Sequence, residues 1–207
     1  MTDSELEGLL RQYHVPGHIR GHMEKVARVA EKIGKAVKKN GFKIDLKILR
    51  QGAMLHDIVK VCDFKELDLE NFTEIYTAAD VQFWTQLIKA AHKDGHVLAA
   101  YNILKGLGED ELAVIVKKHG YNSLIDEKKS ERPQTWEEKI VYYADKRVMH
   151  DQVVSLAERL EDGRRRYFPA GDVPVNEHLV EKAIFKLEVE IMKAAGMKPE
   201  DISHDSV

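Results

Sequence analysis

The sequence predicts an all-α fold. Apolar residues recur at helical spacing along almost the whole chain, and strict apolar–polar alternation is scarce. Capping residues and helix breakers fall where each apolar stripe starts or stops. Runs of β-branched residues, which favour strands, are few. The chain has 207 residues, with no internal repeat and no low-complexity linker, so one helical domain is the simplest organisation.

The elements follow in order. Ser4 is placed to cap a short first helix ending near Tyr13. The stretch His14-Val15-Pro16-Gly17 then breaks the chain, and Pro16 or Gly17 opens a longer helix. Val26, Val29, Ala30, Ile33 and Val37 form one face of it, and Asn40-Gly41 is its stop signal. Asp45 caps the next helix, read as LKILRQGAMLHDIVK, residues 46–60. Residues 61–79 are mixed in character. Helices are then expected over about Asp80–His92, Gly95–Leu107 and the segment ELAVIVKKHG. After the polar loop YNSLIDEKKSERPQ, a helix starts near Thr135. Two more follow, over about 152–167 and 176–195, separated by FPAGDVP. The tail from 196 to 207 is expected to fray.

Composition narrows the function. Hydrophobic residues make up 43% and charged residues 32%, which suits a sizeable core under a solvated surface. Lys and Arg number 32 against 35 Asp and Glu, a net charge of -3. Non-specific binding to a nucleic-acid polymer needs a basic excess, so that class is not expected, although a local basic pocket fits. No apolar run approaches the ~18 residues of a membrane helix. The opening MTDSELEGLL is acidic and lacks a signal-peptide pattern. The single cysteine, Cys62, has no internal partner and no visible activating group, so a reducing cytoplasm and an inert thiol are expected.

Several polar residues lie in apolar seams. His22 shares the stripe of Val26 and Val29. His56 follows Leu49, Gly52 and Ala53; His96 stacks with Ala99, Ala100 and Ile103; His119 stacks with Leu112, Ile115 and Val116. Asp145 shares a face with Val141, Ala144 and Val148, and Asp57 flanks the His56 seam. One such histidine alone reads as a core residue with a satisfied hydrogen bond. A core-facing carboxylate needs a cation or strong donors. Several imidazoles and two carboxylates facing one interior are explained together by a divalent metal: Mn, Fe, Co, Ni, Zn or Mg.

In that order and context the residues resemble the HD-domain superfamily of metal-dependent phosphohydrolases. His22 in RGHMEKVARVA is similar to the family's first ligand, and His56-Asp57 in GAMLHDIVK to its name-giving pair. His96 opens HVLAAYNILKGLG, His119 ends AVIVKKHG, and Asp145 lies in EEKIVYYADKRV, each similar to a family segment. The resemblance spans about residues 16–150 and implies an all-helical HD core with additional C-terminal helices over about 152–195. It implies a first metal on His22, His56, Asp57 and Asp145, and a second, found in some branches, on His96, His119 and a bridging Asp57. One feature departs: branches with the fullest metal set carry two consecutive histidines where this chain has His119-Gly120. The single histidine resembles the subgroup that splits dinucleoside polyphosphates.

The implied activity is hydrolysis of a phosphate ester or anhydride, of a nucleotide or related small metabolite. Asp57 would orient the attacking water, and His96 and His119 would donate to the phosphoryl oxygens. Lys60, one turn past His56, would clamp phosphate or else be a solvated helix-end lysine. Lys146 and Arg147 are candidates for the cavity rim. The run GRRRYF, with Arg164, Arg165 and Arg166, reads first as a basic helix end suited to the helix dipole, and second as a reach toward a phosphate tail. His14 and His18 read as peripheral, and His92 as a substrate contact or a surface residue. Substrate specificity is expected in the loop YNSLIDEKKSERPQ and in residues 61–94. Rival readings are a di-iron oxygenase on the same scaffold, a nucleotide sensor without turnover, and a plain helical interaction domain. Of the chain's His-Asp pairs, His150-Asp151 is expected to cap a helix end and His204-Asp205 to lie in the tail; only His56-Asp57 sits inside an apolar seam.

Overall fold

The computed structural model describes residues 1–64, 66–67, 69, 74–91, 94–203 and 207. His92 and the pair His204-Asp205 lie outside the described residues. Among the described residues the α-helices are α1 (Asp3–Gln12), α2 (Gly17–Lys39), α3 (Leu46–Leu55), α4 (Ala78–Ala91), α5 (Gly95–Gly106), α6 (Asp110–Lys118), α7 (Trp136–Lys146), α8 (Leu156–Tyr167) and α9 (Val175–Ala195). The fold is all-α, with one small hairpin, β1 (Val148–Met149) and β2 (Gln152–Val153).

Local signals set most boundaries. α1 begins two residues earlier than expected, because Thr2 rather than Ser4 is the cap: its hydroxyl accepts from the Glu5 amide while the Glu5 carboxylate accepts from the Thr2 amide. Thr135 and Ser155 build the same reciprocal pair with Glu138 and Glu158 at the starts of α7 and α8. Each such cap contributes about 1 kcal/mol. α9 ends on Gly196 at φ 62°, the left-handed geometry glycine adopts without strain.

α2 is the spine of the core. Met23, Val26, Val29, Ala30, Ile33 and Val37 are fully buried, and α3, α7 and α9 pack around this helix. Two glycines permit close approach. A Cβ on Gly34 would lie 2.3 Å from a Leu49 methyl, and one on Gly52 would lie 2.7 Å from Ile115 Cγ2. α3 therefore sits tightly against both α2 and α6, and its last turn arrives beside them.

Two expectations are corrected, the first in the helix carrying His56. α3 stops at Leu55, His56 is its C-terminal cap, and the chain turns through residues 56–59 into a 3₁₀ segment, Lys60–Asp63. Apolar spacing continued past residue 55, but His56 Nδ1 donates 2.7 Å to the Ala53 carbonyl, a local bond that belongs to a turn. The pair His150-Asp151 does not close a helix. α7 already ends at Lys146, and His150, at φ 57°, forms the two-residue turn of the β1–β2 hairpin. The hairpin is too short to show as alternation in the sequence.

The C-terminal segment is held rather than frayed up to Ile202. Arg147 is buried and donates from Nη2 to the carbonyls of Pro199 (3.1 Å) and Ile202 (3.0 Å), from Nε to Val154 (2.7 Å) and from Nη1 to the Tyr143 hydroxyl (2.6 Å). Glu188 lies 3.7 Å from the same guanidinium. This corrects the placement of Arg147 on the cavity rim. Removing a buried charged donor strands its partners, which costs about 3–5 kcal/mol. Arg147→Ala is expected to lower stability by about 3 kcal/mol in urea unfolding, and a loss under about 1 kcal/mol would contradict this clamp.

Candidate metal centre

The ends of several helices meet at one place. His22 comes from the second turn of α2, His56 and Asp57 from the cap of α3, His96 from the first turn of α5, His119 from the cap of α6 and Asp145 from the last turn of α7. Imidazole centroids lie 5.4 Å apart for His22 and His56, 5.0 Å for His56 and His119, and 5.3 Å for His96 and His119.

Carboxylate oxygens sit between the rings. Asp145 Oδ1 is 3.1 Å from His22 Nε2 and 3.5 Å from His56 Nε2. Asp57 spans the middle: Oδ2 lies 3.6 Å from His56 Nε2, and Oδ1 lies 2.9 Å from His96 Nε2 and 3.5 Å from His119 Nε2. Two ligand groups result, His22 with His56 and Asp145, and Asp57 with His96 and His119. Within each, the ligand atoms lie within 4.8 Å of one another.

The other ring nitrogen of each histidine is already engaged. His22 Nδ1 donates 2.8 Å to the His150 carbonyl, which the hairpin turn delivers. His56 Nδ1 donates to Ala53, and His119 Nδ1 to the Val116 carbonyl. His96 Nδ1 donates 2.5 Å to Asp63 Oδ2, while Asp63 Oδ1 accepts from the His96 amide at 2.9 Å. A carbonyl or carboxylate can only accept, so each Nδ1 carries a proton, and each Nε2 is the nitrogen left to ligate. This is the arrangement that outer-shell acceptors impose on metal-bound histidines.

The centre also contains orphaned buried atoms. His56 Nε2 has no hydrogen-bond partner, and Asp57 Oδ1 has none in hydrogen-bond alignment although three nitrogens surround it. Such atoms are destabilising unless a cation completes them. The donor set of imidazole and carboxylate fits a divalent transition metal.

The charges are strongly coupled. Burial favours the neutral carboxyl of Asp57, but His56, Lys60, His119 and His96 outweigh it and hold its pKa well below the usual range. Asp145 behaves likewise beside Lys146, His22 and His56. Burial works against the cation on His56 and His96, yet neighbouring carboxylates raise both pKa values. His119 is different: burial, together with the charges of His56 and His96, pushes it down to about 4 despite the opposing pull of Asp57.

The centre opens into a cavity of about 580 Å³. Lys60 and Lys146 line it beside His22, Asp57, His96, His119 and Asp145. Lys60 Nζ is 3.9 Å from Asp57 Oδ1 and 3.3 Å from Asp63 Oδ2, so it is not a freely solvated helix-end lysine. Lys146 Nζ is 2.5 Å from Asp145 Oδ2 and donates 3.3 Å to the His119 carbonyl.

Some placements differ from expectation. Arg164 and Arg166 line the cavity, and Arg165 points outward to Glu161, so the run is more than a basic helix end. From the loop YNSLIDEKKSERPQ only Tyr121 lines the cavity, and none of the described residues of 61–94 does so. His14 and His18 do not line it; His14 pairs with Asp80 at 2.5 Å and stacks on Phe83. Cys62 is buried and inert, its thiol pushed up to about 11 by burial and by Asp63. Sequence reasoning missed Asp63, Arg159, Glu177 and Glu181. Asp63 lies one turn past Lys60, a spacing visible only once that segment is known to be helical.

The family model of the HD domain matches residues 19–149, from just before His22 to just past Asp145. No curated protein and no solved structure gives a match. HD domains bind divalent metals, and the two buried His/Asp groups are of the kind that could hold one. No described helix is long and apolar enough to cross a membrane. With the match covering well over half of the 207 residues, the chain belongs to the HD-domain family.

Proposed function

We propose that this protein is a metal-dependent phosphohydrolase acting on a small phosphorylated metabolite, with a nucleotide or nucleotide-like ester as the substrate. The observation that carries the reading is the set of inward Nε2 atoms around Asp57 and Asp145, beside two lysines in one cavity. A divalent metal bound there supplies Lewis acidity, polarising a phosphoryl oxygen and lowering the pKa of water toward ~7.

The chain's own residues do the rest. His22, His56 and Asp145 form one ligand group, and His96 with His119 forms the second. Asp57 belongs to both: Oδ2 faces the first group and Oδ1 the second, so one carboxylate sets their spacing. Through its remaining lone pairs Asp57 would also accept a hydrogen bond from the attacking water and so orient that water toward phosphorus. Lys60 and Lys146 bring ammonium groups to the cavity, where they neutralise the charge that grows on the equatorial phosphoryl oxygens. Those lysines favour phosphate chemistry over the di-iron oxygenase reading, which has no need of them.

His56→Ala and Asp57→Ala are expected to lower turnover of phosphate esters by at least about 10³-fold while the helical circular dichroism is kept. Activity within about tenfold of the parent in either variant would sink the hydrolase assignment. Asp63 is a positioning residue. In Asp63→Asn the amide oxygen still accepts from the His96 amide, but the amide NH₂ faces Nδ1 and drives the proton to Nε2. Affinity for the second metal equivalent is expected to fall about 10–100-fold in calorimetric titration, with the first equivalent unchanged. Equal loss at both equivalents would contradict the division into two groups.

A further inference from the structure

The match to the HD domain ends at residue 149, but the cavity does not. Its far wall is built by α8 and the start of α9: Arg159, Gly163, Arg164 and Arg166 from the first, Glu177 and Glu181 from the second. We propose that this wall reads the part of the substrate remote from the scissile phosphate, and that this part is a neutral, hydroxyl-rich group such as a sugar or nucleoside. The inference rests on the phosphohydrolase reading of the metal end.

Size comes first. A cavity of about 580 Å³ is in the range of ~300–1,000 Å³ that encloses whole small molecules, so a phosphoryl group alone would leave most of it empty.

Charge comes second. Arg164 Nη1 lies 2.5 Å from Glu181 Oε1. Arg166 Nη2 lies 2.6 Å from Asp162 Oδ2, and Arg159 Nη1 3.8 Å from the same oxygen. Burial, and then the neighbouring Glu177 carboxylate, raise the pKa of the Tyr121 phenol. The three guanidiniums are therefore paired with Glu181 and Asp162, Glu177 adds a further carboxylate to the wall, and no surplus is left for a second phosphate. It offers fixed donors and acceptors together, which suits hydroxyls and ring heteroatoms. Arg159 Nε is buried without an acceptor, a donor left for a ligand.

Backbone space comes third. Gly163 sits inside α8 with no left-handed φ to require glycine. A Cβ there would meet nothing within 4 Å, so packing does not require glycine either. Glycine is the least favourable residue in a helix interior after proline. Its position on the cavity wall is explained if a ligand lies across the helix surface there.

The test uses protein loaded with Mn²⁺ and calorimetric binding of ribose phosphate, adenosine monophosphate, a sugar bisphosphate and inorganic phosphate. Tighter binding of ribose phosphate or adenosine monophosphate than of the bisphosphate supports the wall, and whichever binds better identifies the sugar or the nucleoside. In Gly163→Leu the melting temperature is expected to hold or rise, since leucine favours the helix. Binding of the preferred ester should weaken at least about tenfold, with inorganic phosphate within about twofold. The double variant Glu177→Gln, Glu181→Gln makes the wall positive and should shift the ranking toward the bisphosphate by about tenfold. A bisphosphate ranked first by the parent protein, or rankings unmoved in both variants, would overturn the proposal. If the esters bind as expected but none is hydrolysed, the phosphohydrolase reading falls and the wall stands.

Discussion

Each of four imidazoles is tethered through Nδ1 to a fixed acceptor, and the geometry of the centre depends on that constraint. A free imidazole could present either nitrogen. Here the choice is made by two helix-end carbonyls, one hairpin carbonyl and one carboxylate. The acceptors exist because the helices end where they do. α3 and α6 stop at His56 and His119, so the carbonyl three residues back is released from the helical ladder and can accept from the side chain. A longer α3 would have used the Ala53 carbonyl in its own ladder.

Packing brings these ends together. The near-contact of Gly34 with Leu49 and of Gly52 with Ile115 lets α3 lie against α2 and α6, and this puts His56 between His22 and His119. The cost of burying two carboxylates is met only in part by the chain: the imidazoles of His56 and His96 stand beside them, and Lys60 and Lys146 lend charge. His56 Nε2 remains unsatisfied, so the chain alone leaves the centre electrostatically incomplete. A divalent cation would remove that deficit and stabilise the fold by its binding energy.

The helical fold was legible because nearly every element carries an apolar stripe with a cap, as Asp45 and Thr135 show. His22, His56, Asp57, His96, His119 and Asp145 were legible for a related reason: polar residues in those stripes must face the same interior. The rest depended on turns. No periodicity announces that α3 ends at Leu55, that Asp63 returns beneath His96, or that the His150 carbonyl reaches His22. The same holds for the far wall. Arg164 and Arg166 looked like a basic helix end until α8 was seen folded over the cavity, and Arg147 looked like a rim residue until it was seen holding Pro199 and Ile202.

If one carboxylate, Asp57, separates two cation positions served by distinct imidazole groups, anomalous diffraction from crystals soaked in Mn²⁺ will show two peaks. One is expected within ligand distance of His22, His56 and Asp145, the other of His96 and His119, with Asp57 contacting both. A peak at neither position, or metal held elsewhere in the cavity with Asp57 uninvolved, would contradict that division.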